Sequence, residues 1–439
     1  MPCRPSRMVW LCAALAGPAL PAFAFASPPA ATAAQAPLNL AAALDLAERR
    51  APQLAASAAR EDAAREMRVP AGRLPDPLLK LGVQNVPTSG EMAGSLTRDG
   101  MTMRTVGVMQ ELTLGDKRAA RVARAEREAD AAHAATRLTL ATLRRDTTLA
   151  WLELAYQDTV RALIAAQVDE LGRQAQAAEA AFRGGRGTQG EILAMRLEAG
   201  RMQDELAAAE RDLALARSRL ARWIGADASR PPGPLPAHDR LAWQPAATPA
   251  AAGDARHPLI AASLSEAALG DADARLARAM RQPDPAIEFM YGARGSGYPD
   301  MVSVSVTLPL PWDRANRQDR DLAASLARRD AARAMAADTA REYAARVEEA
   351  RAAWEADQAR ERHYDATLLP LAQARIDAAL AAYRAGTGSL AEVLGARRAR
   401  LDTQLARQRT ALAAARGHAE LDYLDPRAGL PGAAQEIQP

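Results

Sequence analysis

The chain has 439 residues, a formal charge of +3, and few aromatic side chains against a quarter charged ones. A charge this close to neutral gives no electrostatic footing for nucleic acid, and an Ala- and Arg-rich composition suits long solvated helices better than one thick core. Past the first 26 residues no run of about 18 uncharged apolar residues occurs, so a spanning helix is excluded and any membrane crossing falls to strands.

In chain order, Arg4 and Arg7 precede an apolar run from Met8 to Leu20, followed by small residues at cleavage spacing in Ala22-Phe-Ala24-Phe-Ala26. Residues 1–26 are therefore predicted to be a secretory signal peptide. Both cysteines, Cys3 and Cys12, lie inside it, which leaves the exported chain without a thiol for a disulfide or a lipid.

Residues 38–225 read as a first repeat. A helix is predicted from Leu40 to Met67, ended by Pro70, Gly72 and Pro75, and strands at Leu78 to Val86 and Thr102 to Leu114. From Asp116 to Arg183 there is no proline and one glycine, Gly172. That stretch predicts a helix of roughly 100 Å, a length useful to a coiled coil or a duct. A return helix follows with two apolar registers at seven-residue spacing. One runs through Ile192, Ala199, Leu206, Leu213 and Leu220, the other through Met195, Met202, Ala209, Ala216 and Trp223. Such spacing predicts a seam against a neighbouring helix.

Residues 226–257 are predicted to be a Pro-rich linker. The second repeat, 258–425, runs through a helix from Pro258 to Arg281, strands at Ala286 to Ala293 and Met301 to Leu310, and a long helix from Asp313 to Ala385. Pro370 should kink that helix. A return helix from Leu390 to Tyr423 follows, and 426–439 reads as a disordered tail.

The repeat rests on matched residues. Ala180-Ala-Phe-Arg-Gly-Gly185-Arg-Gly187-Thr-Gln-Gly-Glu191 aligns with Ala381-Ala-Tyr-Arg-Ala-Gly386-Thr-Gly388-Ser-Leu-Ala-Glu392 at an offset of 201 residues. Pro75-Asp-Pro77 likewise matches Pro283-Asp-Pro285, and Ala150-Trp151 matches Ala353-Trp354. Each repeat reads as helix, strand, strand, very long helix, tight turn, return helix.

The strands alternate. Val302, Val304, Val306 and Leu308 oppose Ser303, Ser305 and Thr307, as expected of a strand facing lipid on one side and water on the other. Four strands cannot close a barrel, and open edges in lipid leave unpaired backbone groups, so membrane strands here demand oligomerisation.

Chemical motifs are absent or fail their context. Gly185-Arg-Gly187-Thr-Gln-Gly190 has dinucleotide-site spacing but follows a helix, so it reads as a helix–helix turn. The five histidines show no ligand spacing. Met101 and Met103 carry soft sulfur at a strand end and read as loop residues rather than copper ligands. No catalytic residue, cofactor site or metal site is assigned.

Together the repeat, the turns, the strand pairs and the passage Val106-Gly-Val-Met-Gln110-Glu-Leu-Thr-Leu114-Gly-Asp-Lys117-Arg118 resemble the outer-membrane efflux protein family of the TolC type. The last passage is similar to the heavy-metal efflux branch. The resemblance implies a mainly α fold with β: two long α-helical hairpins and four transmembrane β-strands per chain, closed as a homotrimer into a twelve-stranded barrel continued by a helical tunnel. It implies a passive outer-membrane duct, without enzymatic activity, for heavy-metal cations delivered by a resistance-nodulation-division pump through a periplasmic adaptor. The adaptor-contacting tips would be Gly185, Gly187, Thr188, Gly386, Gly388 and Ser389. A periplasmic constriction would involve Glu191 and Glu392, with Gly395 where a second acid is expected. A drug or solvent duct of the same family and a periplasmic coiled-coil adaptor are the rival readings, and an adaptor should carry one hairpin rather than two.

Overall fold

The computed structural model describes residues 36–185, 188–235, 257–295 and 297–424. The predicted signal peptide, most of the linker and the tail lie outside the described residues.

The first helical stretch is not continuous. Helix α1 spans Leu40–Arg50, capped by the Asn39 side chain, and α2 spans Pro52–Glu66. Between them Ala51 is extended (φ −72°, ψ 103°), as the residue before a proline must be when the ring crowds it out of the helical region. A single turn, α3 (Arg68–Ala71), completes the segment. Strands β1 (Leu78–Gln84) and β2 (Met103–Glu111) are shorter than predicted.

Helix α4 (Gly115–Arg183) runs 69 residues and turns back into α5 (Gln189–Ile224). Of the two predicted registers, the one through Met195, Met202, Ala209 and Ala216 is the buried seam, joined by Leu213 and Leu220. At its end Ile224 rather than Trp223 is buried. A straight helix with 3.6 residues per turn drifts off a strict seven-residue repeat, and here the drift has moved the seam by one position.

Chain from the predicted linker is built into the fold. A 3₁₀ turn covers Gly225–Ser229, Ala228 is buried, and Pro231 and Gly233 exchange backbone hydrogen bonds with Leu38. Helix α6 (Pro258–Ala279) starts the second half, followed by β3 (Ala286–Ala293) and β4 (Met301–Thr307). Leu308 therefore lies just beyond its strand.

The second long helix begins later than predicted and is interrupted. Helix α7 (Gln318–His363) passes through a π-turn at Tyr364–Leu368 into α8 (Leu369–Arg384). The Leu369 N–H reaches back five residues to the Tyr364 carbonyl. Pro370 has no N–H and its ring would strike the carbonyl of the preceding turn; the wider π-turn absorbs that conflict within a continuing helix. Helix α9 (Leu390–Leu424) closes the hairpin.

The helices pack with α4 at the centre, in contact with α2, α5, α6 and α9, while α7 lies against α6 and α9. The main core joins α1, α4, α5 and α9 around Trp151, whose indole Nε1 donates to the Leu38 carbonyl at 2.9 Å. A second cluster holds Ile260, Tyr343 and Tyr423, and a third, nearer the hairpin turns, packs Met195 and Met202 of α5 against Leu171 and Leu401. No helix among the described residues is long and apolar enough to cross a membrane.

The four strands form one antiparallel sheet in the order β1-β2-β3-β4. The sheet is tied to the helices by a buried ion pair. Lys117, near the start of α4, donates to Asp284 Oδ2 at 2.7 Å, while Asp284 Oδ1 accepts the Leu114 N–H.

Candidate functional site

Because side chains alternate along a strand, the register sorts the whole sheet into two faces. The row Leu81, Val106, Tyr291, Val302 sits beside the row Leu79, Val108, Phe289, Val304. Both rows project from one face, and all eight side chains are exposed, Leu81 and Val302 by more than 70%. Arg104 and Gln110 lie on the same face of β2, one at each end of this apolar band. On β4, Val302, Val304 and Val306 belong to this face, and Leu308, Leu310 and the 91%-exposed Trp312 continue the same alternation past the strand end.

The opposite face is polar in a particular way. Its first level, next to the loops, pairs Gln84 with Met103. The next aligns Gly82, Thr105, Gly292 and Met301; then come Lys80, Gly107, Met290 and Ser303. The next aligns Leu78, Met109, Glu288 and Ser305, and the last aligns Glu111, Ala286 and Thr307. Lys80 reaches across β2 to donate to Glu288 at 2.7 Å.

Strands β1 and β4 are both edges among the described residues. An exposed apolar face flanked by two unpaired edges is a surface that soluble monomers avoid, because it templates further pairing. The loops at the far end close on each other: Arg294 donates to the Gly100 carbonyl at 2.7 Å, and Tyr298 lies against Gly100.

At the other end of the helices are the two hairpin turns. Gly185 and Gly386 adopt φ of +75° and +76°, the left-handed conformation that ends a helix and that a Cβ penalises. After each, a hydroxyl residue starts the return helix with a reciprocal cap. The Glu191 N–H donates to Thr188 Oγ1 and the Thr188 N–H to Glu191 Oε2 (2.8 Å). Ser389 and Glu392 repeat this, the Ser389 N–H donating to Glu392 Oε2 at 3.1 Å. Gly388 is needed for another reason, since a Cβ there would sit 2.9 Å from that of Ala382. Arg186 and Gly187 lie outside the described residues.

Sequence reasoning placed Glu191 and Glu392 beside the turns without recognising them as caps, although Thr-x-x-Glu and Ser-x-x-Glu before an apolar run are the written signature. It also missed the clamp behind the turns. Arg397 of α9 donates to Glu170 of α4 at 3.1 Å, and its neighbour Arg398 donates to Glu205 of α5 at 2.6 Å, joining the hairpins. Hydrogen bonds from Arg173 and Gln174, with the nearby charge of Arg397, hold the Glu170 carboxyl below its ordinary pKa against a smaller opposing effect of burial. Among the described residues no cluster of His, Cys, Asp and Glu can hold a metal ion.

This architecture, two helical hairpins hung from one four-stranded sheet, is a known one. The family model described as "Outer membrane efflux protein" matches residues 43–226 and 254–423. The chain belongs to the outer membrane efflux protein family, whose members are channels and not enzymes. Among solved structures it is similar to the outer membrane protein VceC of Vibrio cholerae, with a TM-score of 0.71 and 20% identity over 88% of this chain and 95% of that one. It is similar also to the Campylobacter jejuni CmeC outer membrane channel, with a TM-score of 0.75 and 13% identity over 91% and 88%. The third is CusC, with a TM-score of 0.72 and 14% identity over 88% and 91%. No curated protein matches the chain.

Proposed function

We propose that this protein is a passive outer-membrane duct that works as a homotrimer, its sheet closing a twelve-stranded barrel with the sheets of two further copies. The observation that carries the reading is the exposed apolar face of the sheet between two unpaired edges. Lipid covers that face, and pairing of β4 with β1 of the next copy continues the antiparallel alternation while removing every edge. The helical edges agree, since α7 follows β4 at one side of the chain and α2 precedes β1 at the other.

In this reading Val302, Val304, Val306 and Leu308 face lipid and the Ser303–Ser305 side faces water. Residues 1–26 direct export. The turns at Gly185, Gly187 and Thr188 and at Gly386, Gly388 and Ser389 meet a periplasmic adaptor joined to an inner-membrane pump of the resistance-nodulation-division class. Glu191 and Glu392 stand at the periplasmic constriction, each carboxylate fixed by its cap. The cargo is heavy-metal cations. Two hairpins on one sheet disfavour the adaptor reading.

The test places a charge on each face. Val304→Arg should cost about 2–4 kcal/mol of barrel stability if it lies near the bilayer middle, and Ser305→Arg should be tolerated. Thermal dissociation of the detergent-extracted trimer reads the difference. Equal tolerance at the two positions, or recovery of the wild type as a soluble monomer, rejects the duct.

A further inference from the structure

The bonds that close the junction between sheet and helices are made once in the chain, yet the residues for them are written twice. Where β2 leads into α4, the Leu112 N–H donates to the Pro285 carbonyl at 2.8 Å and the Leu114 N–H to Asp284 Oδ1 at 3.2 Å. Lys117 Nζ donates to Asp284 Oδ2 at 2.7 Å. Strand β2 continues as Leu112-Thr-Leu114-Gly-Asp116-Lys117, and β4 as Leu308-Pro-Leu310-Pro-Trp-Asp313-Arg314. The second passage repeats the two leucines and the acid–base pair with one residue more, and its Trp312 is turned out to 91% exposure. The acceptors Asp284 and Pro285 have their counterparts in Asp76 and Pro77.

In one copy the second set consists of loose ends. Among the described residues the Leu308 and Leu310 N–H groups donate to nothing, the Pro77 carbonyl accepts nothing, and the exposed Asp76 carboxylate has no partner. Arg314 comes only within 3.7 Å of Asp319, a carboxylate that Arg281 approaches to 2.8 Å. The segment that carries Asp76 is nevertheless held in place, because Gln110 Nε2 donates to the Pro75 carbonyl at 2.9 Å. The loose ends cannot meet within a chain, since β1 and β4 are opposite edges of the sheet.

We propose that they meet between copies: Asp76 of one copy takes Arg314 and the Leu310 N–H of the next, and its Pro77 carbonyl takes the Leu308 N–H. This lock rests on the reading of the chain as a trimeric duct and adds the register of the seam. Within the chain Ala286, directly after Pro-Asp-Pro, faces Glu111, directly before Leu112. The corresponding residues, Leu78 and Thr307, are therefore opposed at the seam, with Leu79 opposite Val306 and Leu81 opposite Val304. Two features of the strands fit. Both β1 and β4 are seven residues long, so the pairing ends together at Gln84 and Met301. Every pair also joins residues of one face, which a slip of one position would undo. Backbone bonds along an edge accept any strand, whereas a carboxylate matched to a guanidinium selects one partner edge in one register.

The experiment exchanges the charges in the full-length protein purified in detergent. Asp76→Arg and Arg314→Asp should each lower the temperature at which the trimer dissociates, and the combined exchange should recover most of the loss. Losses that simply add overturn the lock, since a role of Arg314 confined to Asp319 of its own chain is blind to residue 76. A second set of variants reads the register without charge. Both cysteines lie in the predicted signal peptide, so Leu78→Cys/Thr307→Cys should oxidise to covalent dimers and trimers that neither single variant forms. The slipped pair Leu78→Cys/Val306→Cys, with its thiols on opposite faces, should not. A ladder from the slipped pair alone overturns the register. A wild type that purifies as a trimer, with neither charge rescue nor a ladder, discards the seam and leaves the duct, whereas a monomeric wild type discards both.

Discussion

In the first repeat the long helix α4 runs 69 residues without a break, whereas its counterpart in the second is divided by the π-turn Tyr364–Leu368. The same contrast appears at the matched tryptophans. Trp151 is 1% exposed, sits in the main core and donates to Leu38. Trp354 is half-buried, lies against Gly417 of α9, and its Nε1 finds no acceptor. The cause is local: the first repeat has α1 and the Leu38 segment folded over its helix, and among the described residues the second shows no equivalent element. Within one chain even the repeated Pro-Asp-Pro motif differs, since the carboxylate of Asp284 holds Lys117 and the Leu114 N–H at the sheet–helix junction. Two repeats with one plan are thus anchored differently. The first is a continuous, well-anchored strut, and the second has a built-in change of pitch held to α9 by Arg407, which donates to Asp365 at 2.9 Å and pairs with Glu361.

The largest expected effect follows from the tryptophans. Trp151→Ala should cost about 3–5 kcal/mol, because it opens a cavity in the main core and removes one of the two donors to the Leu38 carbonyl, leaving only the Gly233 N–H. Trp354→Ala should cost clearly less, since it removes an unsatisfied donor along with a partly exposed ring. Thermal unfolding of the two variants, compared at equal trimer yield, measures the contrast. Equal losses would mean that the two repeats are anchored alike.

The turns sharpen the comparison next. Gly185 and Gly386 share the left-handed φ, so Gly185→Ala and Gly386→Ala should each destabilise by roughly 1–2 kcal/mol. Gly388→Ala should cost a further contact strain with Ala382. Docking is separable from folding. Gly386→Trp that assembles as a trimer should lose adaptor cross-linking, and full cross-linking in that variant would restrict these glycines to the turn itself.

Much of this was legible in the residues. Strand β3 and the ends of α4 fall where alternation and the absence of proline put them, because both signals are periodic and long. The break at Ala51 was written in the proline that follows it, but a single X-Pro step is weak against a continuous run of helix formers. The π-turn was not legible: proline forecasts a disturbance, not whether the helix kinks or widens. The shared faces of the sheet lay beyond any one strand, since β2 and β3 pair across the whole first hairpin, and only the register aligns Leu81, Val106, Tyr291 and Val302. The capping boxes were in plain view at Thr188 and Ser389. The clamp of Arg397 and Arg398 was hidden among many arginines whose partners depend on how the two hairpins meet.

That clamp gives the smallest effect and a pH dependence. Glu170 is 38% exposed and accepts from Arg173 and Gln174 on its own helix and from Arg397 on α9. Its folded pKa lies below the ordinary 4.5 because those bonds favour the carboxylate. A carboxyl whose folded value is depressed contributes its stability above the ordinary value and loses it as pH falls through the folded one. The junction between the hairpins should therefore loosen as the pH falls below the ordinary 4.5, while remaining indifferent to pH changes around neutrality. Solvent exposure limits the contribution to about 1 kcal/mol or less, and added salt should shrink it further. Hydrogen exchange near Arg397 and Arg398 at neutral pH and at about pH 3 reads this directly, with Glu170→Gln as the reference. The wild type should gain more exchange on acidification than the variant does. An equal gain in both would mean that Arg398 and Glu205, not Glu170, hold the hairpins together.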